Sequence, residues 1–145
     1  MGGFTIAHDW DGRLVGESAG LCIIEDATGG RGDDLLIGNA ARNVLKGRRG
    51  DDVLYAGESG PDRVKGGAGR DQFWLSSQSG AFVTVLDFDP EADLLVFDQR
   101  LQDVELDDDR RGTNVLVSGV RVALIADVQG LNLSEHVSVE SFSFI

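Results

Sequence analysis

Acidic side chains recur at a fixed spacing through the middle of this chain. Between Gly29 and Trp74 the sequence repeats every nine residues, five times over, with one single-residue slip at Ala56. The sixth position of each repeat is an aspartate or its amide, namely Asp34, Asn43, Asp52, Asp62 and Asp71. Two carboxylates held 4 Å apart repel by roughly 4 kcal/mol at an effective dielectric constant of about 20. A hard divalent cation such as Ca²⁺, which takes oxygen ligands, would remove that conflict.

The eighth position of each repeat explains how such carboxylates could be brought together. It is always apolar: Leu36, Leu45, Leu54, Val64 and Phe73. Successive side chains alternate across a strand, so a short strand at positions seven to nine points its central residue inward. The six remaining residues turn the chain back, and glycines suit such turns because they accept positive φ and close approach of neighbouring turns.

Each repeat then forms half a coil, and the loops of alternate repeats stack on the same edge. This places Asp34, Asp52 and Asp71 in one ladder, and Asn43 and Asp62 in a second ladder on the opposite edge. A glycine-rich flexible linker is the competing interpretation, but a linker does not need an apolar residue every nine positions.

The repeat resembles the nonapeptide G-G-x-G-x-D-x-U-x of RTX (repeats-in-toxin) proteins, a calcium-binding parallel β-helix repeat. The resemblance implies an all-β fold, a parallel β-roll (a β-helix of nonapeptide repeats) followed by an antiparallel β cap. It also implies that backbone carbonyls of the glycine loops complete the calcium sites. Carried over to this chain, those carbonyls belong to Gly30, Gly32, Gly47, Arg49, Gly50, Gly66, Ala68 and Gly69.

Two repeats depart from the pattern. Repeat two has Asn39, Ala40 and Ala41 in its loop and Asn43 at its sixth position, where glycines and an aspartate are usual. Repeat four carries Pro61 at position five, after the slip. Proline removes a donor but keeps its carbonyl, so the resemblance implies a looser site there, with ligands from Gly60 and Asp62.

The segments that flank the repeats are similar to the C-terminal domain of serralysin-type secreted metalloproteases. Glu25 lies four residues before the first glycine, where that family has a glutamate that caps the first calcium site. The stretch from Asp87 to Phe97 resembles the D-F-x-x-x-x-D-x-I segment that follows the β-roll in serralysins and alginate epimerase modules. By that resemblance Asp87 and Asp93 form a last site, and turn-forming acids around Pro90 are the alternative.

The chain is expected to be a single domain with three parts. Residues 1–28 hold N-terminal strands and an entry turn, residues 29–75 the calcium β-roll, and residues 76–145 the β cap. Within the cap, two apolar strands around Ser118 and Gly119 predict a hairpin with a two-residue turn. The alternating C-terminus after Val139 fits loosely the uncleaved export signal of serralysin-like chains, or a final edge strand.

The composition of the chain limits the classes of partner that it is expected to bind. The 145 residues carry a net charge of -12, with 25 acidic and 13 basic residues, which argues against nucleic acid and anionic membranes. The one cysteine, Cys22, excludes an intramolecular disulfide and lies in an apolar run. No stretch reaches transmembrane length, so insertion into a membrane is not expected.

These observations favour a secreted, extracellular, non-enzymatic module that folds on binding Ca²⁺ and supports the type I secretion and stability of a bacterial protein. In that reading the type I secretion machinery is a partner. The alternatives are the non-catalytic part of a secreted enzyme, serralysin-like or epimerase-like, and a polysaccharide-binding or adhesive accessory module. No HExxH motif occurs in the chain, so it lacks the zinc-binding signature of such a protease.

Overall fold

A computed structural model of the chain describes residues 6–8, 14–15, 26–38, 42–57, 61–76, 82–97 and 103–139. Its elements in chain order are β1 Ile6–His8, β2 Leu14–Val15, β3 Asp26–Thr28, β4 Leu35–Ile37, β5 Val44–Arg49, β6 Val53–Tyr55, β7 Asp62–Ala68, β8 Gln72–Leu75, β9 Val83–Val85, β10 Leu94–Phe97, β11 Val104–Asp109, β12 Gly112–Val117, β13 Val120–Ala126, α1 Leu133–His136 and β14 Val137–Val139. Among these residues no helix has the length and apolar character needed to cross a bilayer.

The strands form two facing sheets. From β3 to β10 successive strands alternate between the sheets, so each sheet receives every second strand. The first sheet has the order β14-β10-β8-β6-β4-β1-β2, and the second has the order β11-β12-β13-β9-β7-β5-β3. Neighbours from β3 to β10 are parallel, which is the arrangement of a coil. The predicted all-β fold, a parallel β-roll with an antiparallel β cap, is confirmed.

The apolar eighth positions form the interior of this coil. Leu36, Leu45 and Phe73 are fully buried, and Leu54 and Val64 are 1% and 2% exposed. Because these side chains sit at the same point of successive strands, they stack into one continuous column. Each repeat supplies too little apolar surface to fold alone, so burial depends on its neighbours above and below.

The coil continues beyond the last sequence repeat. The nine-residue period ends at Trp74, yet β9 pairs in parallel with β7 and β10 pairs in parallel with β8. Val85 and Leu95 extend the buried column. The connecting segments are longer here than in the repeats, which is why the period breaks while the stacking does not. The division at residues 28 and 75 stays a prediction.

The C-terminal part closes the coil. Strands β11, β12 and β13 are antiparallel neighbours, and β13 joins β9 in parallel. The predicted hairpin is confirmed: Val117 pairs with Val120, and Ser118 and Gly119 have φ of 50° and 82°. Positive φ at both central residues is the requirement of a type I′ turn.

An aromatic contact joins the last loop to this cap. Phe88 is 4% exposed, and its ring centroid lies 6.0 Å from that of Phe73 and 6.4 Å from that of His136. His136 ends α1, whose N-cap Asn132 accepts a hydrogen bond from Glu135 N–H at 2.9 Å. The loop that follows β9 is therefore packed against the core of the coil on one side and the cap on the other.

Truncation of Leu95 tests whether the coil extends past the repeats. We expect Leu95→Ala to lower the free energy of unfolding in saturating calcium by about 2–5 kcal/mol, as for other fully buried leucines. Leu36→Ala, inside the repeats, should cost a similar amount, and Val120→Ala, at a side chain that is 50% exposed, should cost little. Urea denaturation measures all three. A Leu95→Ala effect no larger than that of Val120→Ala would show that β10 is not part of the core.

Candidate metal centre

Four aspartates line one edge of the coil, and we call them the inner ladder: Asp34, Asp52, Asp71 and Asp93. They lie in the loops of residues 29–34, 47–52, 66–71 and 87–93, which form the first edge. All four are at most 5% exposed. The predicted stacking of repeats one, three and five on one edge is confirmed by the pairing of β4, β6 and β8.

The rungs of the inner ladder are joined by hydrogen bonds to the backbone. Asp52 Oδ1 accepts from Asp34 N–H at 2.8 Å, and Asp71 Oδ1 accepts from Asp52 N–H at 3.0 Å. Asp93 Oδ1 accepts from Asp71 N–H at 2.9 Å. The spacing between partners is 18, then 19, then 22 residues. A peptide N–H thus lies between successive carboxylates, a separation that the sequence alone did not predict.

The second edge is shorter and uses the same contact. It consists of residues 38–43 and 57–62, of which residues 39–41 and 58–60 lie outside the described part. Asp62 Oδ1 accepts from Asn43 N–H at 2.7 Å, and both side chains are buried. The amide in repeat two therefore keeps its place in the stack but brings no charge to this edge.

One oxygen of each central carboxylate lacks a donor. Among the described residues, Asp52 Oδ2, Asp62 Oδ2 and Asp71 Oδ2 are buried and accept no hydrogen bond. Leaving a buried charged oxygen unsatisfied is costly. Such an arrangement persists only if the carboxyl is protonated or a cation binds it.

Burial raises the pKa of these groups. Loss of solvent raises the pKa of Asp52 and Asp62 to about 7 and that of Asp71 to about 6. The backbone hydrogen bond of each group acts in the opposite direction. Neighbouring carboxylates, such as Asp71 beside Asp52, raise the pKa further. Burial also raises the pKa of Asp93. Without a cation, these carboxyls therefore hold their protons to a higher pH than an ordinary aspartate does.

Backbone carbonyls lie beside carboxylate oxygens of the inner ladder. A Cβ added to Gly47 would overlap Asp52 Oδ2 and would come within 2.7 Å of the Gly66 carbonyl oxygen. A Cβ on Gly29 would likewise overlap a carboxylate oxygen of Asp34 and lie 2.8 Å from the Gly47 carbonyl oxygen. Glycine at the first position therefore leaves room in which a carboxylate oxygen and a carbonyl oxygen of the next loop face the same point.

This donor set suits calcium. All the atoms around these points are oxygens, and Ca²⁺ takes six to eight oxygens from carboxylates and carbonyls. In the described part of the chain, no three His, Cys, Asp or Glu side chains converge. A site here would therefore rest mainly on backbone carbonyls with one or two carboxylates, and the residues present fit that composition.

The carbonyls expected from the sequence lie in the stacked loops of the first edge. The Gly32 carbonyl lies against Gly50, and the Gly50 carbonyl against Gly69. The Ala68 carbonyl accepts from Gly50 N–H at 3.0 Å, and Arg49 pairs with Ala68 across β5 and β7. Gly30 contributes its N–H to Asp34 Oδ2 in addition. Their service as ligands, together with that of Gly47 and Gly66, stays a prediction.

Asp87 and Asp93 both join the first edge, beyond the last repeat. Asp87 accepts from Gly66 N–H at 2.9 Å and from Gly67 N–H at 2.8 Å. Asp93 Oδ2 accepts from Asp89 N–H at 2.8 Å. Both aspartates thus hold the last loop onto repeat five, and their part in a calcium site stays a prediction. Glu25 and Gly60 lie outside the described residues.

A second, outer row of carboxylates on the first edge was not predicted from the sequence. Asp33 Oδ1 accepts from Asp51 N–H at 2.7 Å, and Asp51 Oδ1 accepts from Arg70 N–H at 2.8 Å. These residues occupy the fifth position and are exposed. The Asp-Asp pairs in repeats one and three were the available signal. Their hydrogen bonds run from later to earlier loops, opposite in direction to those of the inner ladder.

Comparison with known families agrees with this geometry. Residues 28–59 and 56–79 match the RTX calcium-binding nonapeptide repeat, in 4 copies. The repeat segment is an RTX β-roll. RTX repeats bind Ca²⁺, and the β-roll is a structural calcium-binding module, not a catalytic one. No curated protein matches the chain significantly.

The raised pKa values predict how pH acts on the calcium-free roll. Between about pH 4 and about pH 7 the folded chain binds more protons than the unfolded chain, because the pKa of Asp52, Asp62 and Asp71 lies above 3.8 only when folded. The free energy of unfolding without calcium should therefore fall as pH rises through this window. With calcium, protons compete for the carboxylates, so the calcium midpoint should fall as pH rises. Circular dichroism with and without chelator measures both trends.

Asp62→Asn should flatten the calcium-free pH profile, because it removes one of the titrating groups. Asp109→Asn is the control: hydrogen bonds from Asn114 and from Arg111 lower the pKa of Asp109 to about 2, so it does not titrate in this window. A calcium-free chain that is more structured at pH 8 than at pH 5 would contradict the proposed protonation of the buried carboxyls.

Proposed function

We propose that this chain is the calcium-driven folding module of a secreted bacterial protein, exported unfolded by a type I system. The observation that carries the proposal is that, among the described residues, buried carboxylate oxygens lack donors on both edges of the coil, at Asp52 and Asp71 on the first edge and at Asp62 on the second. Calcium binding by the RTX repeats is shown by the family match. Export and the role of folding are the added steps.

The mechanism couples ion binding to folding. In the unfolded chain the carboxylates are hydrated and far apart, whereas folding without metal buries them unsatisfied. A bound calcium ion supplies the positive charge that these oxygens lack, so its binding free energy adds to the stability of the fold. At a free calcium concentration 100 times the dissociation constant, this amounts to about 2.7 kcal/mol per site.

The same coupling supports a secreted location. Extracellular calcium modules bind with dissociation constants on the order of 10⁻⁴–10⁻³ M. Such a site stays empty at the low calcium concentration of the cytosol and fills outside the cell. The chain would therefore stay unfolded for export and fold afterwards. The excess of acidic residues is consistent with this reading, since net charge of one sign disfavours the compact state until cations bind.

We propose three or four ions, shared between stacked loops. On the first edge they would lie between repeats one and three, three and five, and five and the loop of Asp87 and Asp93. Glu25 would complete the first of these, and Gly60 would contribute to a weaker site on the second edge. The parent protein would be a larger secreted chain, of which a serralysin-like metalloprotease and an alginate epimerase are the proposed classes.

Asp52→Asn tests the metal site. The amide keeps the Oδ1 that accepts from Asp34 N–H and replaces the unsatisfied Oδ2 by a neutral group. We expect the calcium midpoint to rise by roughly tenfold, because ligand charge sets affinity in oxygen-ligated sites. We also expect the calcium-free chain to become no less stable, since a buried charge is lost. Circular dichroism during calcium titration measures both effects.

Asp107→Asn is the matched control, because Asp107 is exposed on β11 and makes the same change in net charge. If both variants shifted the midpoint equally, the effect would be one of net charge. If Asp52→Asn left the midpoint in place, Asp52 would not be a ligand. If the wild-type chain kept its fold in chelator and did not respond to calcium, the proposed function itself would be wrong.

Export is tested separately from folding. Expressed beside a type I exporter, the full chain should reach the medium, and a chain lacking residues 140–145 should stay in the cell. The Asp52→Asn variant should reach the medium at the same level as the wild type, because the chain is exported unfolded. After export it should need a higher calcium concentration to fold. Secretion of the shortened chain at the wild-type level would contradict an export signal in those residues.

A further inference from the structure

A row of basic side chains covers the outer surface of β5 and β7, on an otherwise acidic chain. We call it the basic face, and its members are Arg42, Lys46, Arg48, Arg63 and Lys65. All are exposed, and together they are five of the 13 basic residues. The inward residues between them, such as Leu45 and Val64, are buried, so the basic side chains share one face of the sheet.

The register of the two strands puts like charges side by side. Lys46 is directly opposite Lys65, and Arg48 follows beside Gly67. Neighbouring strands lie about 4.8 Å apart, and like charges directly opposite each other are destabilising. Across the described residues, Arg111 with Asp109 is the ion pair that forms, and no acidic side chain pairs with the basic face.

The surface beside these lysines is concave. Arg42 and Arg63 line a depression together with Val44 and Thr84, and the acidic residues Asp26 and Asp62 line it as well. A second depression is lined by Lys46, Arg48 and Lys65. Farther across the same sheet, Arg121 lies over the Phe82 ring, with its guanidinium carbon 4.9 Å from the centroid. The positive charge therefore runs across the strands rather than forming one point.

Like charges in register that have no acidic partner among the described residues do not stabilise a sheet. A residue that destabilises its local structure, with no contact that compensates, is expected at functional positions. Arg48 is a second unfavourable feature, because it has φ of 85°, a conformation that residues other than glycine rarely adopt. The neighbouring charges can be satisfied together by a ligand that carries several anionic groups in a line.

We propose that the basic face binds an acidic polysaccharide, which lies across β5 and β7 and places successive anionic groups against Arg63, Lys65 and Lys46. The inference rests on the proposed function only in that calcium folds the roll that carries this face. A polyuronate or sulfated glycan is a single chain with a regular row of charges, and it fits a strip that is two strands wide.

The surroundings of the strip favour this class over other polyanions. The loops at the first edge carry exposed Asp33 and Asp51, and the net charge is -12, so a bilayer surface or a duplex would also meet acidic groups. Single-stranded nucleic acid binds by stacking bases on aromatic rings. The Phe82 ring, which directly precedes β9 in the same sheet, is covered by Arg121.

Binding of short acidic oligosaccharides by the calcium-loaded chain tests the proposal. Oligouronates too short to be cross-linked by calcium, and sulfated oligosaccharides of equal length, are titrated in millimolar calcium by calorimetry. We expect one or both to bind, more weakly as salt screens the charges, while a neutral oligosaccharide does not bind. The two acidic arms distinguish carboxylate from sulfate recognition.

The Lys46→Glu/Lys65→Glu variant should weaken binding by at least about tenfold, because two charge-assisted contacts become repulsive. Arg110→Glu/Arg111→Glu, in the turn between β11 and β12, makes the same change in net charge and should leave affinity nearly unchanged. Calcium-induced circular dichroism reports folding independently, so loss of the calcium response is not confused with loss of the ligand site. If the glutamate variant fails to fold, Lys46→Gln/Lys65→Gln replaces it, with a smaller expected loss.

Three results would overturn the proposal. One is a folded, calcium-loaded wild-type chain that binds neither acidic oligosaccharide. Another is an equal loss of affinity in both charge-reversal variants. The third is tighter binding to a single-stranded oligonucleotide or to vesicles of phosphatidylserine, which would assign the basic face to a different class of partner.

Discussion

The structure depends on buried carboxylate oxygens that have no hydrogen-bond donor. In the loops of Asp52 and Asp71, one carboxylate oxygen holds the adjacent loop through a peptide N–H and the other accepts no hydrogen bond from the described residues. The free oxygen of Asp52 lies close to the Gly66 carbonyl. The hydrogen bond to the peptide N–H joins neighbouring turns of the coil. The remaining carboxylate oxygen can be satisfied only by a proton or a cation. Burial of these groups is therefore favourable in one ionic environment and unfavourable in another.

The apolar core and the carboxylate rows cannot be separated, because two positions of the same repeat supply both. Asp52 and Leu54 are two residues apart, and each is at most 1% exposed. When the strand of a repeat stacks on its neighbours, the aliphatic side chain and the carboxylate are buried together. Hydrophobic burial alone would have to offset the desolvation of the acid, and a short strand offers little apolar area with which to do so.

The sequence was sufficient where the chemistry repeats at constant spacing. The eighth positions of the core, the stacking of alternate loops and the second-edge partnership of Asn43 with Asp62 all followed from a period of nine. The extension through β9 and β10 did not, because the spacing there reaches 22 residues and the glycines are replaced by acids and a proline. When the connecting loop is longer, the strands keep their pairing register but the sequence no longer shows a constant period.

Other features depend on contacts that no local pattern encodes. Tyr55 and Trp74 point away from the inner column, and their exposures of 4% and 7% could not be read from their positions in the repeat. The separation of the inner carboxylates by peptide N–H groups depends on side-chain rotamers. The Asp-Asp pairs in repeats one and three are a sequence signal for the outer row, but the direction of its hydrogen bonds depends on how the loops stack.

The end of the second sheet has a further consequence. Its last strand, β11, has no further described strand on its outer side, and it carries Glu105, Asp107 and Asp108 as exposed side chains. An open strand edge is a template for aggregation, and charged residues are a common means of preventing it. Two copies that approached along this edge would bring their acidic side chains together, so a crowded population of newly folded chains should resist assembling into fibrils from this side.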